Sequence, residues 1–435
     1  MELRCTDLAH VASGRLEGPD LTVDGASIDS RSVVPGQLFV PVVAERDGHA
    51  FIAAALAAGA AAYLTSASPE GGTAIVVDDT VAALQAAGRL ARSTFAAAVP
   101  VVGVTGSVGK TSVKDLLAAI LSQRWRTAAS ERSFNNELGV PLTLLNAPDE
   151  TEAVVVEMGA RDTGHIAALC AVASPTVGIV TRVAAVHTEI FGTIEDVARA
   201  KSELVQALPA SGTAVLNAGD ELVAAMASHT AAAVVTYGDG GAVHATEVVL
   251  DDSLRGRFRL RTPWGEADVA LGARGLHQVD NALAAASAGL VCGVSLDDVV
   301  AGLAVGVLSP WRMDLTTSPT GAVVLNDAYN ANPTSMAAAL RSLAALPAQR
   351  RIAVLGVMAE LGAGSDAAHA AIGELAAGLG IRVIAVAAPA YGGEDVPDMD
   401  AALAALGQLA DGDAVLLKGS RVAGLERLAA QLLSA

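Results

Sequence analysis

Val99-Pro100-Val101-Val102-Gly103-Val104-Thr105-Gly106-Ser107-Val108-Gly109-Lys110-Thr111-Ser112 governs the architecture of this chain. An apolar run ends at Val104, two glycines flank a short polar loop, and Val113 to Leu121 continues at helical spacing. Strand, glycine loop and helix form the context in which backbone N–H groups and a helix N-terminus cradle phosphate. Gly106 and Gly109 let the backbone approach, Lys110 reaches the terminal phosphates, and Thr111 offers a hydroxyl to Mg2+. Thr105, Gly106, Ser107, Val108, Gly109, Lys110, Thr111 and Ser112 are therefore the candidate nucleotide loop. The spacing G-x4-G-K-[ST] is not met, because the first glycine is Gly103 and Val104 holds the required position. A tight turn with a solvated lysine would give the same glycines, but the flanking strand and helix point to a nucleoside triphosphate.

Outward from this loop, strands and helices alternate: strands at 101–104, 153–157, 176–181 and 213–216, with helices from 111, at 164–172 and at 193–208. That rhythm predicts a parallel, doubly wound sheet. Residues 243–272 break it with polar/apolar alternation, Arg255, Arg257, Arg259 and Arg261 around Phe258 and Leu260, which predicts an antiparallel insertion. A helix at 280–290 closes the unit. Upstream, 21–95 mixes short strands (Gln37 to Val43, Ala74 to Val77) with a helix at Phe51 to Gly59. Beyond Ser309-Pro310, strands at 321–326, 352–355, 381–386 and 413–417 each precede a helical segment. The expectation is three α/β domains: a mixed N-terminal domain at 1–97, a central doubly wound phosphate-loop domain at 98–309, and a Rossmann-like domain at 310–435.

Composition narrows the function classes. At 435 residues the length suits about three domains. The formal net charge of −18 argues against general nucleic-acid binding. A polyanionic substrate must then be held by local Lys, Arg and helix N-termini. The longest Ala-rich apolar stretch, Phe51 to Leu64, is too short to span a bilayer. MELRCTDLAH has no apolar segment behind a basic start. Cys5, Cys170 and Cys292 are odd in number and far apart, reading as free thiols in a reducing compartment. A cytoplasmic protein without membrane insertion is expected.

Further motifs carry a resemblance. The loop T-G-x-x-G-K-T is similar to that of the Mur ligases and of folylpolyglutamate synthase. Ile28-Asp29-Ser30-Arg31, Pro35-Gly36-Gln37-Leu38-Phe39 and Asp47-Gly48-His49 resemble the uridine-nucleotide-binding part of the Mur ligases, with Ser30 and Arg31 as substrate contacts. Asn135-Asn136-Glu137-Leu138-Gly139-Val140-Pro141-Leu142-Thr143 resembles the substrate loop of the branch that adds D-alanyl-D-alanine. Asn326-Asp327-Ala328-Tyr329-Asn330-Ala331-Asn332-Pro333-Thr334-Ser335-Met336 resembles that branch most. The D-N-P-R motif of the branch adding the third residue is missing. Four positions depart from the family pattern: Val357 where Asp is usual, Gln278 where Asn is usual, Trp311 where Gly is usual, and Ser202 in place of Gly.

The resemblance implies ATP- and Mg2+-dependent ligation of D-alanyl-D-alanine to a UDP-N-acetylmuramoyl-tripeptide by a monomer, and it assigns residues. Glu157, which reads by itself as a polar strand end, becomes a Mg2+ ligand with Thr111. His187, by itself an ordinary structural histidine, becomes a metal ligand. Asn281, placed at a helix start where an N-cap would serve, joins the ATP site. Arg312 and Asp327 close over the nucleotide from the C-terminal domain, so that domain must move. Tyr329, Asn330, Asn332 and Ser335 receive the dipeptide. Lys201 falls in the apolar stripe of the helix at 193–208 and would otherwise snorkel. The family match makes it a CO2-derived carbamate beside the metals. Lys418-Gly419-Ser420-Arg421 is a further anion-binding candidate. The alternatives are another ligase of the superfamily, adding a third residue or glutamate to folate, or a non-catalytic nucleotide-binding relative.

Overall fold

The computed structural model describes residues 1–131, 133–184 and 191–434. The chain builds three α/β domains, as the alternation predicts.

The central sheet has six strands in the order Ala233–Tyr237, Thr213–Asn217, Val177–Val180, Val101–Thr105, Ala153–Glu157 and Thr127–Ala129, all parallel. The chain leaves Val101–Thr105 toward one side, then returns to build outward on the other. The carboxyl end of that strand therefore lies where the strand order reverses, the place where open α/β sheets bind ligands. The strand is buried on both faces, which explains its unbroken apolar run. Helix Lys110–Leu121 turns Val113, Leu116, Leu117, Ile120 and Leu121 inward. Behind it pack helices His277–Val291 and Leu296–Val305, at close approach. A Cβ on Gly302 would stand 2.5 Å from the Ile120 Cα, so this crossing requires glycine.

On the opposite face, helices His165–Ala173 and Ile194–Gln206 share one continuous core with the N-terminal domain, through Thr80–Thr94. The N-terminal domain carries a five-stranded mixed sheet and the pair Glu2–Arg4/Thr22–Asp24. The C-terminal sheet runs Asp314–Thr317, Val323–Asn326, Asp413–Lys418, Arg350–Leu355, Arg382–Val386 and Glu394–Val396. Its first pair is antiparallel and the rest parallel.

The expected antiparallel insertion is a three-stranded sheet, His244–Leu250, Arg255–Thr262 and Gly265–Arg274. Its arginines face outward while Phe258 and Leu260 are buried. Two expectations need correction. The strand expected from Gln37 to Val43 is only Leu38–Phe39. The helix expected at 280 starts at His277, where Gly275 breaks the preceding strand with φ +101°, so Asn281 lies in the second turn and is no N-cap. Short edge strands such as Thr127–Ala129 and Glu394–Val396 are additional, since a three-residue strand shows no periodicity.

Candidate active site

The phosphate loop follows the central strand with Gly106 at φ +144° and Gly109 at φ +86°, conformations that favour glycine. A side chain would also crowd the neighbours: a Cβ on Gly106 would sit 1.9 Å from Thr181 Oγ1, and one on Gly109 2.5 Å from Asn281 Oδ1, so those side chains would have to move. The loop is pinned from the neighbouring strand. Ser107 N donates to Arg182 O (2.7 Å), and Thr181 Oγ1 donates to Val108 O (2.6 Å). Lys110 Nζ donates to Gly106 O (2.8 Å), which holds its charge at the loop. Burial lowers the Lys110 pKa, Glu157 opposes that shift, and Arg312 reinforces it.

Glu157 ends its strand at the same crevice. Its Oε1 accepts from Asn135 Nδ2 (2.8 Å), while its buried Oε2 has no partner among the described residues. A buried carboxylate oxygen without a donor, opposite a phosphate loop, suits a cation. Asn136 Oδ1 instead accepts from Gly139 N (3.0 Å) and shapes the start of helix Gly139–Leu145.

Lys201 does not snorkel: it is 2% exposed, and its Nζ lies 5.7 Å from the centre of the Phe191 ring. Burial, with the Lys110 charge as the second cause, lowers its pKa to about 7 against the pull of Glu203. His187 lies outside the described residues. Among the described residues no group of three or more His, Cys, Asp and Glu is placed to hold a metal.

The C-terminal domain reaches into this crevice. Arg312 Nη2 donates to Thr111 Oγ1 (2.8 Å), its guanidinium lies 4.3 Å over the Tyr329 ring, and its buried Nε has no partner among the described residues. The Tyr329 and Ser133 hydroxyls are hydrogen-bonded across the domain boundary, and Ser309 N donates to Asp115 Oδ2 (2.7 Å). Trp311 and Met313, on either side of Arg312, have φ +63° and +58°. This backbone explains why glycine suits position 311. The Trp311 ring is used, however, since Arg421 stacks over it at 4.4 Å.

One cavity of about 930 Å³ is lined by Lys110, Thr111, Glu157, Lys201, Asn281, Arg312, Asp327 and Tyr329 to Asn332 together with Ser335. Ser30 and Arg31 are not part of it. Arg31 binds Asp29 through Nε (2.9 Å) and Nη2 (2.7 Å), holding the Asp29 carboxyl at about 2. Asn332 and Ser335 line the cavity but also cap helix Pro333–Ala345 reciprocally, Ser335 N donating to Asn332 Oδ1 (2.9 Å) and Asn332 N to Ser335 Oγ (3.1 Å).

Residues 104–289 match the family described as Mur ligase middle domain, and 311–421 the one described as Mur ligase, glutamate ligase domain. A Mycobacterium tuberculosis relative, a UDP-N-acetylmuramoyl-tripeptide–D-alanyl-D-alanine ligase, is 42% identical over 100% of this chain and 98% of its own length. The chain belongs to the Mur ligase family. Two solved Mur ligases share its shape throughout. MurF from Acinetobacter baumannii has a TM-score of 0.91 at 30% identity, covering 100% of this chain and 99% of the other. A MurF ligase from Thermotoga maritima in complex with ADP has 0.82 at 27%, covering 95% and 97%.

Within this Mur ligase, sequence reasoning overlooked several contacts in or beside the crevice. Ser133 meets Tyr329, and Gln278 is buried with its Nε2 3.4 Å from Ser112 Oγ and its Oε1 accepting from Asn281 Nδ2 (2.8 Å). No local signal marks Ser133. The departure at Gln278 was visible, but its contact with the phosphate-loop helix was not.

Proposed function

We propose that this chain joins D-alanyl-D-alanine to the terminal carboxylate of a UDP-N-acetylmuramoyl-tripeptide, with ATP converted to ADP and phosphate. The observation that carries this is the single cavity into which the phosphate loop, Glu157 and the segment from Tyr329 to Ser335 all open. The names of the relatives point to the same reaction. Solved structures of the superfamily alternatives share only the fold, at 18% and 17% identity, and a non-catalytic role is disfavoured by the joint presence of Lys110, Thr111, Glu157 and Lys201 in one crevice.

The tripeptide carboxylate attacks the γ-phosphorus, ADP leaves, and the dipeptide amine attacks the acyl carbon of the resulting acyl phosphate. Phosphate then departs and the amine loses its proton. Lys110 and the loop N–H groups stabilise charge on the transferring phosphoryl group. Arg312 offers its Nε, which has no partner among the described residues, and a planar fork to phosphate oxygens, leaving Thr111 as it does so. Thr111 and Glu157 would hold Mg2+, with His187 and Lys201 as a carbamate completing the set, and the ion would neutralise phosphate charge during transfer. The lone Glu157 Oε2 is the feature that fits it. Lys201 supports the carbamate because a buried amine with pKa about 7 is about half neutral near that pH and can add CO2, where an ordinary lysine is almost wholly charged. In this scheme 1–97 holds the uridine nucleotide through Ser30 and Arg31, 98–309 holds ATP, and 310–435 brings the dipeptide. The ligase acts as a cytoplasmic monomer; no described helix is long and apolar enough to cross a membrane.

The test is phosphate release with UDP-N-acetylmuramoyl-tripeptide, ATP and Mg2+. Release that depends on D-alanyl-D-alanine is expected. Release driven instead by a single amino acid, or by glutamate with a folate, would overturn the proposal.

A further inference from the structure

Lys418 stands at the carboxyl end of its strand, directly beside Asp327. Asn326 pairs with Leu417 in the parallel ladder, and Asp327 N donates to Leu417 O (3.0 Å), so the next residue of each strand emerges side by side. The Lys418 side chain is 2% exposed. Its Nζ donates to Asp327 Oδ2 (2.5 Å), Asn330 O (2.9 Å) and Asp327 O (3.4 Å). An ammonium has three donors, and all three are engaged within the protein. The expectation that Lys418 receives an anion therefore fails: its charge is already matched by a carboxylate.

The partners it holds belong to two different substrates. Asp327 closes over the nucleotide, and its Oδ1 accepts from Met313 N (3.2 Å), one residue after Arg312. Asn330 begins the segment assigned to the dipeptide. We propose that Lys418 is a positioning residue that couples the two halves of the site, tying the nucleotide-closing carboxylate to the dipeptide loop through one buried cation. The inference rests on the functional reading above for the roles of Asp327 and Asn330.

The physical reason for coupling is that one ammonium bridges the Asp327 carboxylate and carbonyl to the Asn330 carbonyl. Asp327 cannot shift toward the ribose or phosphates without drawing on the donor that also holds Asn330 O. Ser420, two residues on, adds a weaker tie to the same loop through its Oγ and Ala331 O (3.4 Å). Removing the cation frees both ends at once.

The experiment measures both KM values, for ATP and for D-alanyl-D-alanine, in Lys418→Gln. Each should rise by on the order of ten-fold, the weight of one hydrogen bond to a charged group. Asp327→Ala should raise mainly the KM for ATP, and Asn330→Ala mainly that for the dipeptide. A merely structural lysine would lower the active fraction, and so kcat, with both KM values unchanged. That result, or a rise in one KM alone, would overturn the coupling. Should Lys418→Gln fail to fold, Lys418→Met with Asp327→Asn removes both charges together. The dipeptide KM should still rise there, and an unchanged value would overturn the proposal. If the unmodified enzyme shows no D-alanyl-D-alanine-dependent phosphate release, the functional reading has failed, which is distinct from failure of the coupling.

Discussion

Two six-stranded sheets face the same cavity, and they bring opposite electrostatics to it. At the carboxyl end of the central sheet, Lys110 is hydrogen-bonded to loop carbonyls and Glu157 has one oxygen without a partner among the described residues. At the carboxyl end of the C-terminal sheet, Lys418 and Asp327 neutralise each other. The carboxyl end of one sheet thus keeps its charges open to a ligand, whereas that of the other locks a lysine and a carboxylate into an internal pair beside the same cavity. The difference teaches that an end-of-strand lysine is not by its place an anion receptor. What decides is whether a carboxylate from the adjacent strand has reached it first.

The sharpest way to break this contrast is Lys110→Ala. If the central lysine acts on the transferring phosphate, the rate should fall by about 10²–10³ in an ADP-formation assay. Near-normal turnover would show that Lys110, like Lys418, only holds other protein groups.

A second measure concerns Lys201, whose pKa of about 7 lies far below an ordinary lysine. Only the neutral amine adds CO2, so carbamylation should be favoured above that pH and suppressed below it. After CO2 depletion, reactivation at fixed dissolved CO2 should be about ten-fold faster at pH 8 than at pH 6, following the neutral fraction. The sign follows for stability too. Burial favours the neutral form, so the cost of holding Lys201 is greatest below pH 7 and fades as pH rises toward the unfolded lysine value. Reactivation independent of pH would remove the amine from the chemistry.

Asn330→Ala sharpens the comparison on the C-terminal side. The KM for D-alanyl-D-alanine should rise several-fold, on the order of one hydrogen bond, with the ATP value within about two-fold. Equal changes would assign Tyr329 to Ser335 to turn formation alone.

The smallest effect is expected at Trp311→Gly. Glycine relieves the left-handed backbone, worth about 1 kcal/mol, but loses the Arg421 stack, worth about 0.5–1 kcal/mol. The two nearly cancel, so the melting temperature should move by no more than about 2 °C. A larger drop would show that the stack dominates.

The phosphate loop was legible because its chemistry is local: glycines, lysine and hydroxyl lie within eight residues between a strand and a helix. Strand and helix alternation likewise carried the three-domain α/β plan, since periodicity is written into neighbouring residues. Helical spacing placed Lys201 on the stripe of Val197, Leu204 and Val205, but by itself it pointed to a snorkelling ammonium, and only the packed fold shows the side chain buried. The start of helix His277–Val291 was misplaced because Gly275, which ends the strand before it, was not weighed. Tertiary structure alone decided the fate of Lys418. Its carboxylate partner lies 91 residues away in the chain and arrives only because two parallel strands run side by side. The same holds for Arg312 and Thr111, 201 residues apart, which meet only when one domain leans on the other. Local pattern can place a charged side chain at a strand end. Whether that charge meets substrate or counter-charge depends on which strand is its neighbour, and that is a property of the folded sheet.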